Sequence, residues 1–280
     1  MLAVQRLLNF EGIRSNGVIE ARQVTSGWAR RRPASCPTTG NMGILMNNQL
    51  SIEKARAFLD SYFADGTGFK AAPRPKKLPA ITISRQSGAG GLSVAEFAAD
   101  LLQKVSPKRG VTWAVFDKNL VELVLADLRL PGRLASVLPE NQVSGISSAI
   151  EELFGLHPAE WTMVQKTSET ILNLATLGGV IIVGRGANVI TASLDNVFHV
   201  RLVGSLDRRV ERIMKRFELS AREARHRIGL EDKGRARYLK KHFGEDIDNP
   251  LLYHLIINTD QIDCPETARM VVDHVVKNYF

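Results

Sequence analysis

Apolar and polar positions along this chain come in blocks. Short, nearly unbroken apolar runs at Ala80-Ile81-Thr82-Ile83, Val111 to Phe116, Val180-Ile181-Ile182-Val183 and Leu251 to Asp260 read as buried strands, the last as a final core strand. Amphipathic stretches separate them. One helix is predicted from the glycines at 90–91 through Val94, Ala95 and Ala98, a second from Lys118 to Leu128, and helical spacing recurs over about 148–155 and 159–177. Ser51 is placed to cap a further helix whose Ala55, Phe58, Leu59 and Tyr62 share a face. It precedes a Gly, Pro and Lys-rich linker from Asp65 to Lys77. Pro131 to Ser147 is turn-rich, Phe154 and Trp161 read as core residues, and no internal repeat is visible. Strands separated by helices predict an α/β fold with a central parallel sheet flanked by helices.

The junction of the first strand and helix carries the first candidate chemistry. In Arg85-Gln86-Ser87-Gly88-Ala89-Gly90-Gly91-Leu92-Ser93, small residues let backbone N–H groups converge on an anion, and the start of the helix adds partial positive charge. The usual phosphate loop ends Gly-Lys-Ser/Thr, its lysine reaching the β- and γ-phosphates. Here Gly90 takes the second glycine position, Gly91 stands where the lysine belongs, and Arg85 replaces the first glycine. Arg85 is the nearest cation that could restore the charge, followed by Lys118, because a guanidinium clamps phosphate oxygens in bidentate fashion. The alternative for Arg85 is a salt bridge under the sheet. Ser93 supplies a hydroxyl for magnesium or phosphate.

Two further segments add arginines. Gly178 to Gly186 is a buried strand leading into a glycine-flanked arginine, and ligands of α/β sheets collect at such strand ends, so Arg185 is expected beside the first loop. Ser220 to Gly244 is charge-dense, with a helix expected over Ser220 to Ile228 and Glu231, Asp232, Arg235 and Tyr238 following. Such a run is usually a solvated helical face; several arginines on a mobile helical hairpin could instead close over a triphosphate.

In this order the parts resemble the nucleoside monophosphate kinases, and most closely the cytidylate kinase-like family. The resemblance covers about residues 79–280 and rests on Ile81-Thr82-Ile83-Ser84-Arg85-Gln86 with Gly88 to Gly91, Phe116-Asp117-Lys118, Gly184-Arg185-Gly186-Ala187, Asp232-Lys233-Gly234-Arg235 with Tyr238, and Ile257-Asn258-Thr259. It implies a P-loop kinase fold with a monophosphate-binding insert at about 117–177 and a lid at about 218–245. It also implies ATP as phosphoryl donor, magnesium held in part by Ser93, and CMP, dCMP or a related acceptor. Ser87, Gly88, Ala89, Gly90, Gly91, Leu92 and Ser93 then surround the donor phosphates, and Arg185 holds the acceptor monophosphate with Asp117, Lys118 and Arg227 near it. Arg85, Asp232 and Arg235 become the catalytic candidates.

Three positions depart from authentic cytidylate kinases: Gly91 replaces lysine, Val183 replaces aspartate near magnesium, and Gly186 replaces an aspartate expected to read the cytosine amino group. Two other readings therefore stay open, a nucleotide-binding regulatory module without turnover and a kinase for a small non-nucleotide metabolite.

Composition sets the remaining bounds. The 280 residues are 44% hydrophobic, ample for a soluble core. No apolar run approaches the roughly 20 residues needed to span a bilayer. The net charge is +8, but six arginines against Glu11 and Glu20 give residues 1–45 a charge of +4, so half the excess sits in a tail without periodicity and nucleic acid is not the expected partner. That tail reads as disordered, with translation from Met42 or Met46 the simpler reading. Residues 46–78 form the helix and linker, packing on the kinase body or joining a homo-oligomer. Cys36 and Cys264 lie far apart, which suits a cytoplasmic location and implies neither a disulfide framework nor a zinc site.

Overall fold

Five short strands of mostly β-branched and small residues form the centre of the molecule, seen in a computed structural model that describes residues 52–60, 78–105, 112–126, 146, 149–150, 153 and 162–280. They are β1 (Ala80–Arg85), β2 (Ala114–Phe116), β3 (Val180–Val183), β4 (Val197–Val203) and β5 (Leu255–Asn258), all parallel in the order β2-β3-β1-β4-β5. Ala80 lies opposite Val180 on one side and Val197 on the other. A strand paired on both sides and covered on both faces needs apolar side chains in both directions, which is why these runs do not alternate.

Helices cover the two faces. On one, Ile81, Ile83, Ile181 and Val200 pack against α2 (Gly91–Val105) and α8 (Cys264–Tyr279) through Val94, Ala98, Leu102, Ala268 and Val271. On the other, Phe116, Val180 and Ile182 pack against α1 over 52–60, α3 (Lys118–Ala126) and α4 (Thr162–Leu177). Ala55, Phe58 and Leu59 are buried there, with the Phe58 and Phe116 rings 5.8 Å apart edge to face, so α1 packs on the chain's own sheet. A short α5 (Ala187–Ile190) follows β3, and α6 (Leu206–Phe217) with α7 (Ala221–Phe243) forms a helical hairpin after β4. This is the expected α/β architecture, a central parallel sheet flanked by helices. Among the described residues no helix is long and apolar enough to cross a membrane.

Four expectations change. The second strand is shorter than Val111 to Phe116, starting at Ala114. The final strand is an edge, not core: of β5 only Ile257 is buried, because among the described residues no strand pairs beyond it. The charge-dense helix α7, expected over Ser220 to Ile228, runs unbroken to Phe243, fixed by a capping box in which Ser220 Oγ accepts from the Glu223 N–H and the Glu223 carboxylate accepts from the Ser220 N–H. Cys264 is buried and disulfide-bonded, against the expectation of no bridge, while Cys36 lies outside the described residues.

One strand was not legible. β4 reads Val-Phe-His-Val-Arg-Leu-Val, and the buried His199 and Arg201 break its apolar pattern. Both are compensated locally: His199 Nδ1 shares a 2.8 Å hydrogen bond with Thr82 Oγ1, and Arg201 donates to Ser84 Oγ at 3.0 Å and to the Asp248 carboxylate. The tail at 1–45, Tyr62, the linker, the turn-rich segment at 131–145, Phe154 and Trp161 lie outside the described residues.

Candidate functional site

The site forms where β1 runs out. Gly88 and Gly90 adopt φ of +81° and +84°, a region L side chains rarely enter, and these two turns fold the backbone into a cradle ahead of α2. Gly88 also has no room for a side chain, since a Cβ would stand 2.7 Å from the Arg209 carbonyl oxygen. The loop is tied to the end of β4. Gln86 N–H donates to the Leu202 carbonyl at 3.0 Å, and the Gln86 side chain accepts from Gly204 N–H at 3.0 Å. A cavity of about 510 Å³ opens over it, lined by Ser87, Gly88, Gly90, Gly91, Leu92 and Ser93 together with Arg85, Asp117, Arg227 and Arg235. Ala89 is fully buried beneath.

Arg85 explains why Gly91 is not lysine. A Cβ at 91 would lie 2.8 Å from Arg85 Cγ and 3.2 Å from its Cβ and Cδ, and one at Gly184 would collide with Arg85 Nη1. The arginine stem therefore crosses the face of Gly91 and its guanidinium lies against Gly184 at the end of β3. A side chain at position 91 and this path for Arg85 exclude one another. Burial, reinforced by Arg235, pushes the guanidinium down to about 10, against the pull of Asp117 and Glu231. Among the described residues no hydrogen bond or ion pair neutralises it. A partly buried cation facing a cavity without such a partner is suited to an anion.

Helix α7 meets the loop through two carboxylates. Ser87 N–H donates to Asp232 Oδ1 at 2.8 Å, and Ser87 Oγ donates to Glu231 Oε2 at 2.6 Å. Arg209, itself buried, donates to Asp232 Oδ2 at 2.6 Å and to the Ser87 carbonyl at 3.2 Å. Arg235 also binds Asp232, and Arg227 Nε donates to Glu231 Oε1 at 2.9 Å while its guanidinium sits 3.8 Å over the Phe217 ring. Burial alone would raise the Glu231 carboxyl; the hydrogen bonds from Ser87 and Arg227 outweigh it and hold the group below the usual carboxylate range.

The end of β3 carries the other arginine. Gly184, Arg185 and Gly186 have φ of +86°, +58° and +70°, so a non-glycine residue is held in the left-handed region between two glycines. Arg185 is close enough to depress Arg85 by its charge, yet it does not line the cavity expected to hold it. It turns instead to Glu122 and lies 6.0 Å from the Tyr238 ring centre, leaving its buried Nε without an acceptor. Asp117 accepts from Leu120 N–H at 3.0 Å at the start of α3, while Lys118 beside it is exposed and makes no hydrogen bond or ion pair among the described residues.

Arg209 and Arg212 were not singled out from the sequence, and Glu231 stood there within the charged segment without a role of its own. Arg212 donates to the Gly88 carbonyl at 3.2 Å and to Thr259 Oγ1 at 3.0 Å, joining the loop to the segment after β5. Nothing but the charge density of the hairpin marked them. No cluster of three or more His, Cys, Asp or Glu side chains among the described residues could hold a metal by itself.

Residues 80–261 match the cytidylate kinase-like family. The chain belongs to that family. A uronate isomerase of Corynebacterium glutamicum is 28% identical over 117 residues, which span 42% of this chain and 22% of that protein, so the chain covers about a fifth of the curated relative. Among solved structures, an uncharacterized protein of Eubacterium ventriosum is 18% identical with a TM-score of 0.49, covering 71% of this chain and 99% of that one. Shikimate kinase of Acinetobacter baumannii in complex with shikimate is 14% identical with a TM-score of 0.36, covering 72% and 96%. The APS kinase of Mycobacterium tuberculosis, in complex with AMPPNP and APS, is 18% identical with a TM-score of 0.36, covering 73% and 100%.

Proposed function

We propose that this family member is an ATP-dependent phosphotransferase of the nucleoside monophosphate kinase type, with cytidylate or deoxycytidylate the leading acceptor. The observation that carries the reading is Arg85, a partly buried guanidinium between the glycine-rich loop and the end of β3, without a hydrogen bond or ion pair among the described residues. It stands where it can give the donor phosphates the charge that Gly91 cannot. In the transfer, an oxygen of the acceptor attacks the γ-phosphorus, the bond to the β,γ-bridging oxygen breaks, and ADP leaves. Such a step needs positioning and charge neutralisation more than a strong base, which suits a site with Arg85, Arg227 and Arg235.

Magnesium fits this donor set in a limited way. Ser93 lines the cavity, and its hydroxyl would give one ligand, the rest coming from phosphate oxygens and water, as is usual for this ion. When bound it would neutralise charge on the β- and γ-phosphates. Arg185 would hold the acceptor phosphate, using the Nε that has no acceptor of its own. Val183, which lines the cavity where an acid is expected, favours a second reading, a nucleotide-binding module without turnover.

ATP consumption by the purified protein across a panel of nucleoside monophosphates and small hydroxylated or phosphorylated metabolites separates these readings. Turnover with CMP or dCMP is expected; turnover only with a metabolite reassigns the acceptor, and none at all favours the binding module. In Arg85→Ala, triphosphate and monophosphate forms of the donor should bind nearly alike by calorimetry with magnesium present. An unchanged preference in folded variant would make Arg85 a structural residue.

A further inference from the structure

Two of the loop donors that should receive a phosphate, both on Ser87, already hold anions. Ser87 gives its N–H to Asp232 and its hydroxyl to Glu231, and Arg209, Arg227 and Arg235 surround the same two carboxylates. A carboxylate presents two acceptor oxygens to N–H and O–H donors much as a phosphoryl group does. Resting on the reading of this loop as a phosphate cradle, we propose that Glu231 and Asp232 are a built-in surrogate anion: they hold the Ser87 donors at the edge of the cradle in the unliganded protein, and an incoming polyphosphate binds by displacing them.

The carrier of these residues is suited to exchange. Gly229 and Gly234 bracket the turn bearing Glu231 and Asp232, and at both a Cβ would meet nothing within 4 Å, so no neighbour demands glycine there. An interior glycine weakens a helix by roughly 0.8–1 kcal/mol relative to alanine, and two of them, five residues apart, lower the cost of bending or unwinding that one turn. Both carboxylates are only partly buried, hence open to competition.

The exchange has a consequence for the arginines. While Glu231 and Asp232 sit on Ser87, they keep Arg227 and Arg235 neutralised next to the cavity. Once phosphate takes the Ser87 donors, the carboxylates withdraw and the two guanidinium groups lose their partners just as a new anion arrives. The latch thus couples occupancy of the cradle to release of lid charge. It also makes the empty site a weaker trap for stray anions.

Calorimetry with inorganic tripolyphosphate on the full chain tests the idea, comparing wild type, Glu231→Gln and Glu231→Ala, with Glu223→Gln as a control that removes one charge from the same helix without touching Ser87. Both Glu231 variants should bind at least ten-fold more tightly, and the control should change less than three-fold. Amide hydrogen exchange at residues 229–234 of the wild type should accelerate when tripolyphosphate binds. Unchanged or weaker binding in folded Glu231→Gln, or equal tightening by Glu223→Gln, overturns the latch. If Arg85→Ala loses tripolyphosphate while the Glu231 variants match wild type, the cradle stands and the latch alone fails. Absence of binding in every protein, Glu231→Gln included, removes both.

Discussion

Arg85 and Arg185 show how one residue type takes two different roles at neighbouring strand ends. Arg85 is extended across a glycine and only partly offset by the nearby carboxylates of Asp117 and Glu231, with no hydrogen bond or ion pair among the described residues, so an incoming anion would complete its compensation. Arg185 is held in a left-handed backbone, partnered through one nitrogen by Glu122 and left open at Nε. If that nitrogen serves the acceptor, Arg185→Ala should weaken monophosphate binding by roughly 1.5–3 kcal/mol, about ten- to a hundred-fold, and leave triphosphate affinity nearly unchanged. Titration of the two ligands separately is the measurement. Equal losses would place Arg185 outside the acceptor site.

At the scale of elements, the α6–α7 hairpin has firm ends and a soft middle. Ser220 and Glu223 close its second helix at the start, and Gly244 in the left-handed region, φ +71°, closes it at the end. Between them, only Ala224, Ile228 and Leu239 are buried, so most of the helix is stabilised by its ends and its ion pairs rather than by packing. Gly229→Ala and Gly234→Ala should each stabilise the folded chain by up to about 1 kcal/mol, because alanine adds helix propensity in open space. Denaturant midpoints of the two variants measure this. A loss of stability at either position would mean that glycine is needed there for the native backbone.

For the whole molecule, the sheet has an unequal pair of faces. The face toward α2 and α8 is apolar until Arg85 ends β1 there, while the other turns polar along β1 and β4, where Thr82, Ser84, His199 and Arg201 lie buried. His199 stacks on His254 with ring centres 4.7 Å apart, and burial, with His254 second, pushes its pKa down to about 4 from 6.5. The unfolded chain takes up a proton near pH 6.5 that the folded chain refuses until about pH 4. Stability from this group is therefore fully present above pH 6.5 and is lost as pH falls toward 4, by up to about 3 kcal/mol. Urea midpoints at pH 7 and pH 4.5 should show the decline, and His199→Gln should flatten it. An equally steep decline in that variant would assign the acid sensitivity elsewhere.

Local physics made much of this protein legible from its residues alone. Apolar runs of four to six residues, a glycine-rich turn that needs positive φ, and serine before a charged helix each act over a few positions, so β1, β3, α2 and the cradle follow from sequence. β4 escaped because the partners that make His199 and Arg201 acceptable inside are Thr82 and Ser84, more than a hundred residues away. The site divides in the same way. Gly91 could be read as a missing lysine, but the stem of Arg85 lying across it is a matter of side-chain path, and the meeting of Ser87 with Glu231 and Asp232 joins positions 144 and 145 residues apart. Charge density in the hairpin predicts that arginines gather over the loop. Which carboxylate reaches which donor is decided only when β4 sets α6 and α7 above the end of β1, because close contacts between distant segments depend on geometry that no local pattern encodes.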